Sequence, residues 1–483
     1  MSETVDLAVV GAGPAGLAAA TQAAEMGIET VLFDEQATPG GQIYRNVEQV
    51  AAERPQTLNL LGGDYQEGFA QVAAFRRSGA TYQPRTAVWE IAKRTGENAS
   101  ITLGTVADGT AELRHARAVI VATGAMERPL PLPGWTLPGV MGAGAVQTLL
   151  KGSAMIPDTP SILVGSGPLL YLVAWQLLRA GAPPRALWLT TPRSQWRHAL
   201  PALPGMLRVG GELWKGLRWL RELRAAGVTI SSGAEDLRIE GADRVEAVSA
   251  RFGDRTERVE TGLALLHHGI VPNAQLTMAA GCEHAWDPLQ RCWRPQADEW
   301  GASSVSGILT AGDGAGIGGA RAATLRGRLA ALEAARQLAR IDARARAALA
   351  RHTRAALRRE LGARPLLDRL FPPAAMNGGD DLTVCPCEGV SARELREVIE
   401  LGCPGPNQAK AFTRCGMGPC QGRMCGITVS ETFARERDVP VESIGHYRLR
   451  PPVKPLTVGE LAGLGGVANP PGESGGLPTK AHK

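Results

Sequence analysis

Eight cysteines occur in 483 residues, and five of them crowd into two short stretches, TVCPCEGV and TRCGMGPCQGRMC. Cys385 and Cys387 make a C-x-C, and Cys420 and Cys425 a C-x4-C. Thiolates gathered in this way hold soft metal centres, an iron–sulfur cluster or zinc. In an extended stretch, residues 385 and 387 fall on one face. Residues 420 and 425 are about 140° apart around a helix, so Cys420 is expected in a loop and Cys425 in the helix that starts there. Gly416, Gly418 and Gly422 let the backbone wrap something compact, and free N–H groups at a helix start stabilise thiolates. The reading is a four-thiolate site of Cys385, Cys387, Cys420 and Cys425; spacing leaves [2Fe-2S] and zinc both open. Cys415 reads as a small buried residue beside the ligands. Cys282, Cys292 and Cys403 have no partner at ligand spacing and read as structural.

A second kind of chemistry is written at the other end of the chain. GAGPAG follows the apolar run VDLAVV and precedes a helical segment. Gly11 turns the chain out of the strand, Gly13 lets the backbone approach a pyrophosphate, and Gly16 lets the helix pack on the sheet. Pro14 and Ala15 open the helix, whose free N–H groups favour the phosphates. Asp34, eighteen residues after Gly16 and followed by Glu35, is placed to accept both hydroxyls of an adenosine ribose. GSGPLL at 165–170 repeats the loop in degraded form. Gly165 and Gly167 remain, Leu170 replaces the third glycine, and Thr190 and Thr191 stand where the acid belongs. A leucine there is expected to push the helix from the strand, and threonine cannot chelate a ribose diol. The domain is read as keeping its fold while losing NADH specificity, with another adenine nucleotide as an open occupant.

The elements that must carry these sites are two strand–helix–strand units, at 5–35 and 161–190, with a β-rich stretch and the strand ARAVIVATG between them. Residues 320–361 read as helical, FPPAAMNGGDD (371–381) as a linker, Ser391-x-x-Glu394 as a capping box, and NQAKAFTR as a second short helix. The last thirty residues read as a loose tail. Charged residues are 20%, apolar residues 44%, and net charge +5, an ordinary balance. Gly at 59 and Pro at 33 favour tight turns over a helical bundle. Arg-rich stretches lack the interleaved aromatics of single-strand binders, so no nucleic acid is expected. No apolar run approaches the ~18–20 residues of a transmembrane span, and no signal-peptide pattern opens the chain. A cytoplasmic location is expected, with a peripheral position at the inner face of the membrane left open. His267 and His268 lie on an apolar strand and read as packed core residues; His198 and His446 show no partner. No catalytic residue beyond cofactor contacts is assigned.

The first loop and its companions resemble the two-dinucleotide-binding-domain flavoproteins, the glutathione- and thioredoxin-reductase-like group. PGGQ (39–42), AVIVATG (118–124), HHGIVPN (267–273) and TAGDGAG (310–316) stand where that group has its signatures. The resemblance implies an α/β fold and FAD in the first site. Its contacts would come from Gly11, Gly13, Pro14, Ala15, Gly16, Asp34, Glu35, Gly41, Gln42, Thr123, Gly124, Gly312 and Asp313, with Asp313 on the ribityl chain. The lack of a redox dithiol near either loop argues against a disulfide reductase. The cysteine module looks like the bacterioferritin-associated-ferredoxin (BFD-like) type of [2Fe-2S] domain, small and mostly helical.

Over nearly its full length the chain resembles the α (or A) subunits of opine oxidases, D-hydroxyproline dehydrogenase and hydrogen cyanide synthase. The implied domains are a discontinuous FAD-binding domain (1–128 and 262–345) and a degraded nucleotide-binding domain (140–261). A helical linker (346–381), the [2Fe-2S] domain (382–449) and a tail (450–483) follow. The resemblance implies an electron-transfer subunit of a heteromeric amino or imino acid dehydrogenase. Its partner would be an FAD-containing β subunit similar to glycine and sarcosine oxidases, which oxidises the substrate. Open additions are an FMN at the interface between chains and a small [2Fe-2S] γ subunit. The competing readings are a stand-alone NAD(P)H-dependent reductase and a zinc-bound structural subunit.

Overall fold

The computed structural model describes residues 4–93, 100–202, 210–376 and 378–464. The run TVDLAVV forms β1 (Thr4–Val10), and Leu7, Ala8 and Val9 have no solvent exposure. Its second half, LAVV, has no polar face and must be covered on both sides, and β1 lies mid-sheet. It runs parallel to β2 (Thr30–Phe33), with Val9 beside Leu32, and to β6 (Thr110–Val121), with Val9 beside Ile120. β3 (Thr81–Gln83) extends β2, while β4 (Thr86–Lys93) and β5 (Ile101–Ala107) continue β6 as an antiparallel meander.

Between β1 and β2 runs α1 (Pro14–Glu25), with Pro14 in its first turn, where a missing N–H costs nothing. β7 (Ala125–Glu127) leaves the first sheet, and the chain enters the second domain through β8 (Val140–Gly142) and α2 (Ala143–Ser153). β9 (Ser161–Ser166), α3 (Pro168–Arg179), β10 (Ala186–Leu189) and β11 (Thr229–Ser232) form the second unit. An antiparallel meander of β12 (Glu235–Glu240), β13 (Ala247–Phe252) and β14 (Arg255–Glu260) packs beside it. β15 (Leu263–His268) closes the parallel order β11-β10-β9-β15-β8. The return to the first domain is β16 (Ile270–Pro272), antiparallel to β7, then the hairpin β17 (His284–Asp287) and β18 (Cys292–Pro295). β19 (Ile308–Thr310) then pairs with β6, making the first domain discontinuous in sequence.

The segment 320–361, read as helical, is two helices, α4 (Ala320–Gln337) and α5 (Ala343–Glu360). Ala339 at φ +58° breaks the path, and Asp342 caps the new start through Ala345 N. α4 crosses α1 closely. A Cβ at Gly327 would sit 2.1 Å from the Ala15 carbonyl oxygen, so the contact needs glycine.

The cysteine module holds β20 (Thr383–Cys385), β21 (Val390–Ser391) and the helices α6 (Ala392–Glu400), α7 (Pro406–Thr413) and α8 (Gly426–Glu436). The capping box is present: Glu394 N donates to Ser391 Oγ, and Ser391 N to Glu394 Oε2. The module is seated on the body. Trp135 Nε1 donates to Thr383 O at 2.9 Å, Arg291 pairs with Glu431, and Leu130 and Met376 join the core around Cys385 and Cys425. The stretch read as a tail from residue 450 is packed at its start. Val453 is fully buried in the core of the first sheet, and its N–H reaches Trp89 O. Residues 465–483 of that expected tail lie outside the described residues. Among the described residues, no helix is long and apolar enough to cross a membrane.

Candidate functional site

The first Gly-rich loop is shaped by contacts that exclude side chains. Gly11 has φ +102°, and a Cβ there would lie 2.5 Å from Ala122 O; a Cβ on Gly16 would lie 1.8 Å from Gly11 O. Gly13 is different: a Cβ there would meet only the Cα of Gly41, at 3.9 Å. Its face is open, and no side chain caps the helix start behind it. An uncapped helix start beside an open glycine suits a diphosphate, so the residues present fit the expected dinucleotide. The PGG turn backs onto this loop, with Gly40 N donating to Ala12 O at 2.8 Å.

Asp34 is turned inward. Its Oδ2 accepts from Ala12 N at 2.5 Å and its Oδ1 from Gln36 N at 2.7 Å, while burial raises its pKa against the pull of these two N–H groups. Glu35 points outward and pairs with Lys454 at 2.6 Å. Thr123 Oγ1 donates to Asn273 O, and Asn273 N to Gly124 O, which ties the ATG turn to the IVPN turn. Asp313 Oδ1 accepts from the N–H groups of Gly318 and Gly319, and a Cβ on Gly312 would press on Ala15 at 2.7 Å. The structure thus brings the GAGPAG, PGG, ATG and GDG turns together around one end of the first sheet.

A buried cation under the PGGQ turn has no counterpart in the sequence reading. Lys151 on α2 is almost without exposure; its Nζ donates to Gln147 Oε1 at 2.9 Å and Gln42 O at 3.3 Å, 5.7 Å from the Tyr65 ring centroid. Burial, with Arg45 nearby, pushes its pKa down to about 7. Arg45 in turn donates to Gln36 Oε1 and Gln42 Oε1. A period of helix contacts could have flagged residue 151 as inward-facing, but nothing local predicts its reach to residue 42.

At the second loop, Leu170 is fully buried in the apolar core between α2, α3 and β9. The leucine is accommodated as a packing residue. Ser166 Oγ and Thr191 Oγ1 are 3.0 Å apart, a hydroxyl pair where the first site has the Asp34 carboxylate on Ala12 N. His267 sits beneath the loop, its Nδ1 2.7 Å from Glu127 Oε1. His268 is buried with neither ring nitrogen partnered, and burial pushes its pKa down to about 3. His446 has neighbours: its ring meets Trp293 at 5.1 Å and His284 at 5.5 Å.

The cysteine site differs from its sequence reading in pairing. The sulfurs of Cys385, Cys415 and Cys425 lie within 4.8 Å of one another, all buried. Cys387 is exposed, and its thiol is hydrogen-bonded to Cys420. Cys385 and Cys387 therefore do not share a face. The strand ends at Cys385 and the chain turns, so one sulfur points inward and the other outward. Cys415, read as a bystander, stands inside the buried group. Hydrogen bonds from the Cys415 and Cys425 thiols, with the N–H groups of Gly416 and Glu388, hold Cys385 down to about 2; the contact with Cys385, with burial, raises Cys415 to about 12 against the pull of Cys425 and Tyr447. Cys420 lies in the loop as expected, and Cys425, expected in the helix, is its cap, one residue before α8 begins. All five donors are soft thiols, which fits iron–sulfur or zinc ligation.

The glycines of this loop enclose an aromatic ring. Cβ atoms on Gly416 and Gly422 would fall 2.5 and 2.6 Å from Tyr447, while one on Gly418 would fall 2.3 Å from Cys387 Cβ. Tyr447 Oη lies 3.9 Å from Cys425 Sγ. Cys282 and Cys292 are buried in the body of the protein, and Cys403 is buried in the core of the module without joining the three-sulfur group.

A discontinuous sheet domain with four convergent turns, a second parallel-sheet domain and a thiol-bearing helical module define an oxidoreductase of the two-dinucleotide-binding-domain type. The pyridine nucleotide-disulphide oxidoreductase family model matches residues 5–339, and that of the sarcosine oxidase A3 domain matches 384–464. The opine oxidase A subunit of Rhizobium meliloti is 42% identical over 96% of this chain and 88% of its own length. Hydrogen cyanide synthase subunit HcnB of Pseudomonas aeruginosa is 30% identical over 95% of this chain and 98% of its own. The chain belongs to the family of opine oxidase A subunits and their HcnB relatives. The crystal structure of L-proline dehydrogenase from P. horikoshii shares the fold, with TM-score 0.69 and 17% identity over 95% of this chain and 80% of that one.

Proposed function

We propose that this chain is the electron-handling subunit of a heteromeric dehydrogenase or oxidase acting on the C–N bond of an amino or imino acid, an opine or D-hydroxyproline. FAD would occupy the first site, held by the GAGPAG turn, the PGG turn and Asp313. Cys385, Cys387, Cys420 and Cys425 would hold a [2Fe-2S] cluster. A flavin takes up two electrons as a hydride, and an iron–sulfur centre accepts one at a time. The chain's own residues orient these groups and exclude water from the buried sulfurs. On a partner subunit, oxidation of the amine to the imine would release two electrons and two protons. With an opine, water would then split the imine into a carbonyl compound and an amino acid; the ring imine formed from D-hydroxyproline would remain one molecule.

The observation that carries this reading is the seating of the thiol module on the first nucleotide domain. Arg423, three residues after Cys420, donates to Val453 O at 2.8 Å, and the next residue, Lys454, grips Glu35 beside the ribose position. One continuous contact path joins the two sites. The Ser166–Thr191 hydroxyl pair speaks against the stand-alone NAD(P)H reductase. The relatives' names, opine oxidase and hydrogen cyanide synthase subunits, support a setting of several chains.

Affinity isolation from the native cell, followed by identification of co-purifying chains, flavin, iron and zinc, tests the reading. The expected result is FAD, iron and a second flavin-bearing chain, with opine or D-hydroxyproline turnover only in the complex. Turnover by the isolated chain, or rapid anaerobic bleaching of its flavin by NADH, would reject it. Zinc in place of iron would turn the module into a structural staple.

A further inference from the structure

The buried half of the thiol group holds one sulfur more than a C-x-C and C-x4-C set requires. Cys387 and Cys420 are partnered near the surface, leaving Cys385 and Cys425 as the inner pair. Cys415 Sγ lies within 4.8 Å of both inner sulfurs and is fully buried. Tyr447 approaches Cys425 and Cys415 from a later chain segment, its Oη 3.9 Å from Cys425 Sγ, and the residue is 4% exposed. Gly416 and Gly422 pack closely on the ring, and Lys410 Nζ stands 4.6 Å from its centroid.

We propose that Cys415 and Tyr447 are positioning residues that donate hydrogen bonds to the inner thiolates, Cys385 and Cys425, and thereby raise the reduction potential of the centre. The proposal rests on the iron–sulfur reading above. Each iron of a [2Fe-2S] cluster takes two thiolates, so an inner iron held by Cys385 and Cys425 would need no third sulfur. A third thiol at that distance then has its S–H free to donate. Buried donors seek acceptors, and thiolate sulfurs are the acceptors within reach. Reduction adds one electron, whose charge spreads onto the sulfurs. Donors aimed at those sulfurs stabilise the reduced state more than the oxidised one, which lifts the potential.

The test uses the full chain, purified anaerobically, as wild type, Cys415→Ala, Cys415→Ser and Tyr447→Phe. Iron, zinc and acid-labile sulfide are measured first, then the midpoint potential by titration followed with electron paramagnetic resonance. All four proteins are expected to carry the full complement of iron. Cys415→Ala and Tyr447→Phe should each weaken reduction about tenfold at a fixed poise, a fall of about 59 mV for one electron. Cys415→Ser keeps a hydroxyl donor and should stay nearer the wild type. Unchanged potentials in both donor-deleted variants would overturn the proposal, leaving simple packing. Loss of iron in Cys415→Ala, or an altered spectrum in Cys415→Ser, would make Cys415 a ligand and also overturn it. Zinc in the wild type would fail the underlying cluster reading, and is seen before any variant is compared.

Discussion

Lys454 Nζ lies 2.6 Å from Glu35 Oε1, which joins the segment after the thiol module to the end of the strand that bears the expected ribose acid. Both side chains are partly exposed, so the pair itself adds little stability. The anchor is its neighbour Val453, fully buried against the first sheet. Lys454→Ala should cost less than about 1 kcal/mol, whereas Val453→Ala should cost about 2 kcal/mol. Urea unfolding of the two variants checks the order; a costlier lysine variant would contradict it.

Gly418→Ala should empty the thiol module while leaving the flavin site intact. Its Cβ would fall 2.3 Å from Cys387 Cβ and 3.2 Å from Glu388 Oε1. The Glu388 carboxylate can swing aside, but Cys387 Cβ cannot retreat without moving a proposed ligand. The expected outcome is a marked loss of bound iron at unchanged FAD content, measured on one preparation.

Leu170→Ala should not restore a pyridine nucleotide site. The leucine is fully buried in the core beneath α3, so truncation leaves a cavity and costs about 2–5 kcal/mol. The Ser166–Thr191 pair still stands in the place of a ribose acid. Stability should fall, and NADH should remain without effect on the flavin spectrum.

Lys151 gives the protein a pH signature. Burial brings its folded pKa to about 7, against about 10.4 in an unfolded chain. Between those values the unfolded state holds the extra proton, so stability rises with pH. The slope from this group is at most about 1.4 kcal/mol per pH unit. It levels off once pH passes the unfolded value, and is absent below the folded one. The facing groups are the Arg45 guanidinium, the Tyr65 ring, the Gln147 amide and the Gln42 carbonyl. In Lys151→Met the rise between pH 7 and 10 should flatten, as read by denaturant midpoints across that range.

The Gly-rich turns are legible in the sequence because their causes are local. Gly11 must tolerate positive φ, and Gly16 must clear Gly11 O; both demands act within one βα unit. The capping box at Ser391 and Glu394 is likewise a contact over three residues. Spacing finds Asp34, but its engagement with Ala12 N depends on how two strands sit side by side. The C-x-C misleads: alternation along a strand holds only while the strand lasts, and this one stops at Cys385. Cys415 and Tyr447 join the site through contacts across the module's fold, and Lys454 meets Glu35 from the far end of the chain. No periodicity carries such pairs, so they appear only once the chain is folded.

Tyr447 follows the module's thiols in the chain, yet it completes the wall around them. Every thiol of the module leaves the ribosome before it does, yet the glycine loop has nothing to close upon until that phenol ring arrives. A chain stopped between Cys425 and Tyr447 would carry all the module's cysteines without the ring on which Gly416 and Gly422 close.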